Sequence, residues 1–321
     1  MAELNVHAVK EEVFGRASWR WLIDYGIVVA FLILFTLLAI LSDVFLTKTN
    51  LLNVIEASAV VGIVAVAATL VIIAGEFDLS VGAIFAVAAV ISAEVAIAVN
   101  PIAGVVTGIA AGAVLGACNG MLITAGRVFS FIATIATALV FRGIALIITG
   151  GHRLSPRDEG FTTLGRETFV SVKYSVWIFI GFALVLGFVL ARTAFGRYVY
   201  ATGSNRLVAR LSGVPSSHVR FAVFILSGIA AAVAGVIVAS RSGQGSAELG
   251  LGFELSVIAA VAIGGTSIRG GQGAVWRTVI GVVFLSLIGN GLILAEVPLH
   301  YRRLTEGLII LLAVALGRAR S

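Results

Sequence analysis

The sequence predicts an all-α membrane protein with about ten transmembrane helices. Apolar residues make up 60% of the 321-residue chain and charged residues only 12%, whereas about a quarter of a soluble domain is charged. Many of the apolar residues fall into runs close to the roughly 20 residues that a helix needs to cross a bilayer. Because the basic residues lie at the ends of these runs, the net charge of +6 indicates topology, and no nucleic-acid partner is expected.

The apolar runs place the spans in order along the chain. Spans are predicted at residues 25–41, 57–74, 81–99, 102–123, 129–149, 174–191, 221–240, 255–264, 278–295 and 304–316. Residues 1–24 and 318–321 are then polar tails that flank one membrane domain, 25–317. The first run is longer than the core of a usual signal peptide and no clear cleavage site follows it, so it is interpreted as a span.

The charges of the loops set the orientation. Arg127 and the five arginines of residues 192–220 fall on one side of the membrane when ten spans are counted, and the positive-inside rule makes that side cytoplasmic. Both termini are predicted to lie on this side as well. The longest loop on the opposite side, 150–173, mixes basic and acidic residues. Five spans per half would invert the second half relative to the first, which is a common transporter plan, although residue identity does not reveal the repeat.

The arginine-rich loop has the features of a docking element. It separates two apolar runs and contains no acid. Residues 204–211 are predicted to form a short helix, with Ser204 or Asn205 as its N-cap and Gly213 followed by Pro215 as its stop. The residues predicted to couple the chain to a soluble partner are Ser204, Asn205, Arg206, Arg210, Leu211, Gly213 and Val214.

The fourth predicted span carries glycine at every fourth position. This spacing puts a stripe without side chains along one side of a helix, and such stripes let helices in lipid approach closely. The stripe is therefore predicted to pack against a neighbouring helix. Its members are Gly104, Gly108, Gly112, Gly116 and Gly120. Cys118, the one cysteine, is expected to be a small buried packing residue of this span, and it excludes an intrachain disulfide.

Acidic residues interrupt the apolar pattern between the second and third spans, in the stretch IIAGEFDLSVGAIFA. An ionisable group at bilayer depth is unfavourable unless it faces a cavity or a partner, so a discontinuous helix is predicted there. In one interpretation Asp78 or Ser80 caps the next helix and Glu76 is an interfacial acid; in the other these residues, with Gly82, line or gate a translocation path. The glycine-rich turn IGGTSIRGGQGAVWR adds two candidate gate residues, Gly264 and Gly265.

Enzyme and metal chemistry find little support in the sequence. The four histidines are scattered over the tail and the loops, so no metal site is predicted. No G-x-x-x-x-G-K-[ST] stretch occurs, so the chain is not expected to bind or hydrolyse ATP. No nucleophile elbow occurs in a suitable context either. The chain is therefore interpreted as a transport component that takes its energy from a partner or from an ion gradient.

Several ordered motifs resemble the permease subunits of ribose-type ATP-binding cassette (ABC) importers. FDLSVG resembles the GIDLSVG signature of that family, FRGIALIITGG its next recurring stretch, and GRYVYATGSNRLVARLSGV its cytoplasmic coupling region. IGGTSIRGGQGAVWRTVIG, IGNGLIL and LTEGLIILLAV resemble its C-terminal third, so the resemblance covers residues 51–316. The sequence departs from the family at Glu76 and Phe77, where Gly and Ile are common, and so adds an acid beside the conducting region.

The resemblance implies a multi-pass permease in the lipid bilayer of a bacterial plasma (inner) membrane, paired as a homodimer or heterodimer with a second permease subunit. A cytoplasmic ABC ATPase would bind and hydrolyse the ATP, and a periplasmic sugar-binding protein would deliver a small sugar-like solute. A pentose, a hexose or a polyol would fit this scheme.

Other functions stay open at this point. An ion-coupled secondary carrier is the main alternative, because Glu56, Glu76, Asp78 and Glu94 are candidates to bind a coupling ion. A receptor or scaffold without transport is a third interpretation.

Overall fold

The computed structural model describes residues 25–302, 304, 305, 307–309 and 311, and these residues are mostly helical. The predicted tails 1–24 and 318–321 and much of the predicted tenth span lie outside them. The helices are α1 (Tyr25–Leu41), α2 (Lys48–Ile73), α3 (Val81–Ala98), α4 (Pro101–Thr124), α5 (Ser130–Thr149), α6 (Thr163–Arg166), α7 (Tyr174–Arg192), α8 (Ala194–Ser204), α9 (Arg206–Leu211), α10 (Ser216–Ser242), α11 (Phe253–Ile263) and α12 (Val275–Leu294). The described residues from 299 onward are helical too.

Among the described residues, seven helices are long and apolar enough to cross a membrane: α2, α3, α4, α5, α7, α10 and α12. α1 and α11 are apolar but shorter. The prediction of an all-α protein with several membrane spans is confirmed. The count of ten spans, the cytoplasmic termini and the inverted repeat stay predictions.

Two spanning helices begin earlier than predicted, because polar residues in their first turns find partners. α2 starts at Lys48 instead of residue 57, and the Thr47 hydroxyl caps it by accepting a hydrogen bond from the N–H of Asn50 at 3.3 Å. The Asn50 and Asn290 side chains exchange hydrogen bonds of 2.7 and 3.1 Å, which join α2 to α12. α10 starts at Ser216 instead of residue 221.

The glycine stripe of α4 lies where α4 meets α3 and α10. All five of its glycines are buried. A Cβ on Gly104 would lie 2.3 Å from the carbonyl oxygen of Ser92 on α3, and one on Gly112 would lie 2.2 Å from the Cβ of Ala232 on α10. The absence of side chains therefore permits the close approach of these backbones.

Cys118 is exposed, so the expectation that it is buried is wrong. It follows Gly116 by two residues, and two residues turn a helix by about 200°. The same spacing that buries the stripe therefore directs Cys118 to the opposite side of α4.

The loop between α5 and α7 forms a small cap at one end of the molecule, which we call the hairpin side. It contains a 3₁₀ turn (Glu159–Thr162), α6, and the antiparallel strands β1 (Thr168–Phe169) and β2 (Val172–Lys173). The N–H of Gly165 donates to the Ser240 hydroxyl at 2.8 Å and so ties this loop to the end of α10. α8 and α9 belong to the loop at the other end of α7, which we call the α8–α9 side.

Two non-helical segments connect helices within the bundle. The first break, residues 74–80, joins α2 to α3, and the second break, residues 243–252, joins α10 to α11. Backbone polar groups without helical partners are tolerated in a membrane protein only where protein or water satisfies them. The groups that satisfy these two segments define the candidate site.

Candidate coupling and gating site

The loop that follows α7 folds into two short helices separated by Asn205. The Asn205 side chain caps α9, because its Oδ1 accepts hydrogen bonds from the N–H groups of Leu207 and Val208, both at 3.1 Å. Asn205 is therefore the N-cap. The short helix begins at Arg206, and Ser204 is the last residue of α8 instead of the first of the predicted helix. We call α8 and α9 together the coupling segment.

The predicted stop after α9 is present. Gly213 has a φ of 81°, in the left-handed region that glycine adopts readily. Its N–H donates to the carbonyl oxygen of Arg210 at 3.0 Å, and the N–H of Val214 donates to that of Ala209 at 2.9 Å. The chain then turns directly into α10.

One face of α9 is apolar and uncovered. The side chains of Leu207, Val208 and Leu211 expose 68%, 55% and 81% of their surface, and Arg210 beside them is exposed as well. Ala209 is buried on the opposite face. Large apolar side chains gathered around an arginine are typical of a surface that another protein covers.

The backbone of the coupling segment touches the end of α2, directly before the first break. A Cβ on Gly203 would lie only 1.7 Å from the carbonyl oxygen of Ile73, the last residue of α2. The same carbonyl accepts a hydrogen bond of 2.8 Å from the N–H of Gly271, in the turn 264–274 between α11 and α12. The Tyr200 hydroxyl donates to the Gly273 carbonyl at 2.8 Å. The end of α2, the coupling segment and the glycine-rich turn are therefore in direct contact with one another.

Tyr200 of α8 is the ionisable side chain that bonds to the glycine-rich turn, and burial changes its pKa. The pKa of the Tyr200 hydroxyl is raised, mainly because burial disfavours its charged form, while the positive charge of Arg277 acts in the opposite direction. Tyr200 therefore stays neutral and keeps its proton for the hydrogen bond to Gly273.

Glu76 links the first break to two arginines by charge. Its side chain is 3% exposed, and its Oε1 accepts hydrogen bonds of 2.5 Å from Arg206 Nη2 on α9 and from Arg220 Nε on α10. Burial lowers the pKa of Arg206 and the carboxylate of Glu76 opposes that shift, so the guanidinium keeps its charge. Bonds between ionised groups are the strong class of hydrogen bond, and a cation from the coupling segment is thus held against the break.

Asp78 and Ser80 form a second buried polar group in the first break. Asp78 Oδ1 accepts from the N–H and the hydroxyl of Ser80 at 3.0 and 2.6 Å, and Oδ2 accepts from the Ser227 hydroxyl on α10 at 2.7 Å. Asn119 on α4 donates to the Ser80 hydroxyl at 2.7 Å. Ser80 occupies the N-cap position of α3 without a side-chain capping bond, so these residues connect helices and do not cap α3.

α5 satisfies the backbone of the first break. The N–H of Phe77 donates to the Ser130 hydroxyl at 3.2 Å, and the N–H of Leu79 donates to the Thr134 hydroxyl at 3.1 Å. Both acceptors lie in the first two turns of α5. Helices α4, α5, α9 and α10 therefore all hold this one segment.

The second break runs alongside α3. At its start, Gly245 and Leu154 exchange backbone hydrogen bonds of 2.8 and 2.9 Å, and a Cβ on Gly245 would lie 2.7 Å from the carbonyl oxygen of Ala89. Five residues later the chain reaches the first turn of α3, where a Cβ on Gly82 would lie 2.4 Å from the carbonyl oxygen of Gly250. Gly82 is thus the place where the two breaks approach each other.

Arg142 of α5 holds the second break. Its Nη1 donates to the carbonyl oxygens of Ala247 and Leu249, the latter at 2.7 Å, and its Nη2 donates to that of Gly82 at 3.1 Å. The guanidinium therefore ties three carbonyls on two segments together.

The predicted gate residues Gly264 and Gly265 lie apart from Gly82, at the far end of α11. A Cβ on Gly264 would lie 2.7 Å from the carbonyl oxygen of Arg277, so α11 and the start of α12 are in backbone contact there. Gly265 has a φ of 82° and begins the turn that reaches the coupling segment.

Sequence reasoning missed several residues of this site. Arg142 was seen only as part of a recurring stretch, although a charge within a predicted apolar span is a signal in itself. Arg220 was counted for its charge alone, and no local pattern pointed to Glu76 as its partner. Within the described part of the chain there is no group of three or more His, Cys, Asp or Glu residues that could hold a metal ion.

Comparison with known proteins places the chain among permeases. The family model described as "Branched-chain amino acid transport system / permease component" matches residues 50–314. The chain is 37% identical over 316 residues to the ribose import permease protein RbsC of Escherichia coli (strain K12), covering 95% of this chain and 97% of that protein. It is 38% identical over 292 residues to the protein of the same name in Bacillus subtilis (strain 168), covering 90% and 91%.

A third relative carries the name of another sugar. The chain is 35% identical over 303 residues to the L-arabinose ABC transporter permease protein AraH of Azospirillum brasilense, covering 94% of this chain and 89% of that protein. No solved structure matches the chain.

Proposed function

The chain belongs to the permease family whose model matches residues 50–314, and from this membership we propose how it works as the membrane-spanning subunit of an ABC importer for a small sugar. The resemblance to ribose-type permeases that its motifs predicted is confirmed, and so is the predicted function as an importer permease. The relatives are named for ribose and L-arabinose, so these two pentoses are the first solutes to test.

The contact of Glu76 with Arg206 carries the proposed mechanism. Arg206 belongs to α9, whose exposed face consists of Leu207, Val208 and Leu211, and Glu76 belongs to the first break. A partner that moves this face would pull on the break through the ion pair and through the backbone contact of Gly203 with Ile73. We infer that this surface receives the ATPase and that the first break responds to it.

The translocation path is proposed to follow the first break and the turn 264–274. Glu76, Asp78, Ser80 and Gly82 would hold or gate it, because non-helical backbone among spanning helices has to face protein or a water-filled path. At Gly264 and Gly265, which have no side chains, the backbone of the turn would line or close the path. The glycine stripe of α4 would keep α3, α4 and α10 together as the helices around the break rearrange.

The proposal includes partners outside the chain. A second permease subunit would complete the path in the lipid bilayer of a bacterial inner membrane. A cytoplasmic ABC ATPase would bind and hydrolyse the ATP that drives import, and a periplasmic binding protein would deliver the sugar. The exposed apolar face of α9 would then lie in the cytoplasm, as the arginines around it predict.

The test places a charge on the exposed face. With Leu211→Glu, alone and combined with Arg210→Glu, we expect the ATPase no longer to copurify and ATP-driven uptake of ribose or L-arabinose into proteoliposomes to fall about tenfold or more, since burying an unpaired charge in an interface is strongly unfavourable. Leu211→Met is the matched control, because it keeps an apolar side chain of similar volume. Thermal unfolding should be the same for all variants, since the side chain is exposed.

Two outcomes would contradict the proposal. Uptake that survives both charged variants would remove α9 as the docking surface. Uptake by the chain alone in an imposed ion gradient, without ATPase, would favour the secondary carrier instead. The structure gives that rival little support, because Glu76 is paired with two arginines and Asp78 accepts from Ser80 and Ser227.

A further inference from the structure

Charged groups lie deep in the bundle at the point where the second break meets α3. Gly82 and Ala98 are 16 residues apart on α3, so this point lies about 24 Å along α3 from its hairpin-side end. The hydrocarbon core of a bilayer is about 30 Å thick. Arg142 itself lies near the middle of α5. Opposite charges at this depth are expected to face protein or water and not lipid.

Arg142 and Glu254 meet at Gly82. Arg142 Nη2 donates to the Gly82 carbonyl at 3.1 Å, and a Cβ on Gly82 would lie 2.5 Å from Glu254 Oε2. The two side chains also interact electrostatically. A side chain at position 82 would clash with the Gly250 carbonyl and the Glu254 carboxylate, so glycine lets both groups lie against α3.

The pair retains unused hydrogen-bonding capacity. Arg142 uses three of its five N–H groups on backbone carbonyls. Among the residues that the structure describes, no group donates a hydrogen bond to the Glu254 carboxylate. A carboxylate acceptor and a guanidinium donor of opposite charge therefore both lie close to Gly82.

The surface beside the pair is uncovered by this chain. Leu251 exposes 69% and Leu255 exposes 50% of its side chain, and Gly252 between them is exposed. These residues surround Glu254 at the end of the second break and the start of α11. Opposite charges at membrane depth, on a surface that this chain leaves uncovered, are expected to face water.

We propose that Glu254 and Arg142 form a contact site inside the translocation path for the hydroxyl groups of a neutral, polyhydroxylated solute. A hydroxyl group donates to the carboxylate and accepts from the guanidinium, so vicinal hydroxyls engage both partners at once. A pair without net charge gives no preference to ions. The inference rests on the proposed import of a small sugar, and it adds two residues to the path, neither of them among the predicted gate residues.

The first experiment asks whether water reaches this surface. In a chain with Cys118→Ser, the substitutions Leu251→Cys and Leu184→Cys each introduce one thiol for a membrane-impermeant, positively charged methanethiosulfonate reagent. Leu184 is the matched control, because it is a leucine in the middle of α7 with the same exposed fraction of 69%. The labelling rates are measured in membranes that hold the complete importer, with and without ATP. In at least one of these two conditions we expect Leu251→Cys to react at least about tenfold faster than Leu184→Cys, because thiols react with such reagents as hydrated thiolates. Equal rates in both conditions would overturn the proposal.

The second experiment asks whether the carboxylate contacts the solute. At saturating binding protein, Glu254→Gln should lower ribose or L-arabinose uptake about tenfold, since hydrogen bonds to charged groups contribute about 1.5–3 kcal/mol. Glu248→Gln, at an exposed acid of the same break, should leave uptake unchanged. Unchanged uptake by Glu254→Gln would overturn the site. If the wild-type importer moves neither sugar, the proposed function fails, whereas the labelling experiment still decides whether this surface is hydrated.

Discussion

The two breaks differ in what holds them. Side chains of α4, α5, α9 and α10 form hydrogen bonds with the first break, residues 74–80. Both of its acids are buried and accept hydrogen bonds. The second break, residues 243–252, is held mainly by Arg142 and by the backbone pair of Leu154 and Gly245, and it ends in exposed residues. We expect a segment held by four helices to transmit displacement, and a segment held by one side chain and one backbone pair to separate more easily from its neighbours.

We propose that this difference gives the two segments different tasks in transport. The first break connects to the coupling segment through Glu76 and Arg206, so it is placed to receive motion from a soluble partner. The second break adjoins both residues that we assign to the solute, because Arg142 of α5 donates to its carbonyl groups and Glu254 of α11 follows it in the chain. Gly82, two residues after the first break, connects it to the second break, because Gly82 contacts both Gly250 and Arg142. In the proposed mechanism, motion received at the first break would therefore arrive beside the proposed solute contact.

The largest effect is expected from removing the charge of Glu76. Glu76→Gln would leave Arg206 and the buried Arg220 without their anion, and breaking a buried ion pair in this way usually costs about 3–5 kcal/mol. We expect a clear fall in the melting temperature of the detergent-solubilised protein and a loss of ATP-driven uptake.

Glu56→Gln is the control for this experiment. The Glu56 carboxylate lies 3.7 Å from Arg241, and both side chains are partly exposed, so its removal should change stability by at most about 1 kcal/mol. Equal melting temperatures for Glu76→Gln and Glu56→Gln would show that the first break does not depend on its ion pairs.

A smaller effect is expected at the backbone contact between the coupling segment and α2. In Gly203→Ala the new methyl group would overlap the Ile73 carbonyl, and overpacking of this kind costs about 2 kcal/mol. We expect the ATPase still to copurify, because the exposed face of α9 is unchanged, while uptake falls.

The matched control is Gly181→Ala on α7, where no heavy atom lies within 4 Å of the added Cβ. Alanine is the better helix former, so this variant should be as stable as the wild type or slightly more so. Normal uptake by Gly203→Ala would mean that motion reaches the first break through the ion pair alone.

The smallest effect is expected from loosening the second break. Arg142→Lys replaces a planar fork that holds three carbonyls with a single ammonium group. Hydrogen exchange of residues 245–250 should become about tenfold faster, which corresponds to the loss of about one charged hydrogen bond. Residues 74–80 serve as the internal control and should exchange as before. Equal acceleration of exchange in both segments would show that Arg142 does not hold the second break specifically.

Local sequence patterns predicted most of the helices. Apolar run length and basic flanks located the seven confirmed spans to within a few residues at most ends, with α2 as the exception. Glycine at every fourth position identified the stripe on α4. The prediction that Cys118 is buried was wrong, because the same spacing directs Cys118 to the opposite face of the helix. Asn205 and Gly213 were recognisable because capping and stop signals act within four residues of the helix end.

The pairings of the site required the tertiary structure. Glu76 is 130 residues from Arg206 and 144 from Arg220, and Arg142 is 105 from Ala247. No periodicity in the sequence relates positions so far apart, because their distance in space depends on how α2, α5, α9 and α10 pack. The acids between the second and third spans were visible as an anomaly, while their partners were not.

The sequence by itself determined that the chain is a helical membrane protein, where its spans lie, and that a basic loop with a capped short helix interrupts them. These features depend on burial in lipid and on hydrogen bonds between near neighbours in the chain. Only the tertiary structure decided that Glu76 joins the coupling segment to the first break and that Arg142 and Glu254 meet at Gly82. Those contacts exist because helix packing brings distant residues together, and a one-dimensional pattern does not specify that packing.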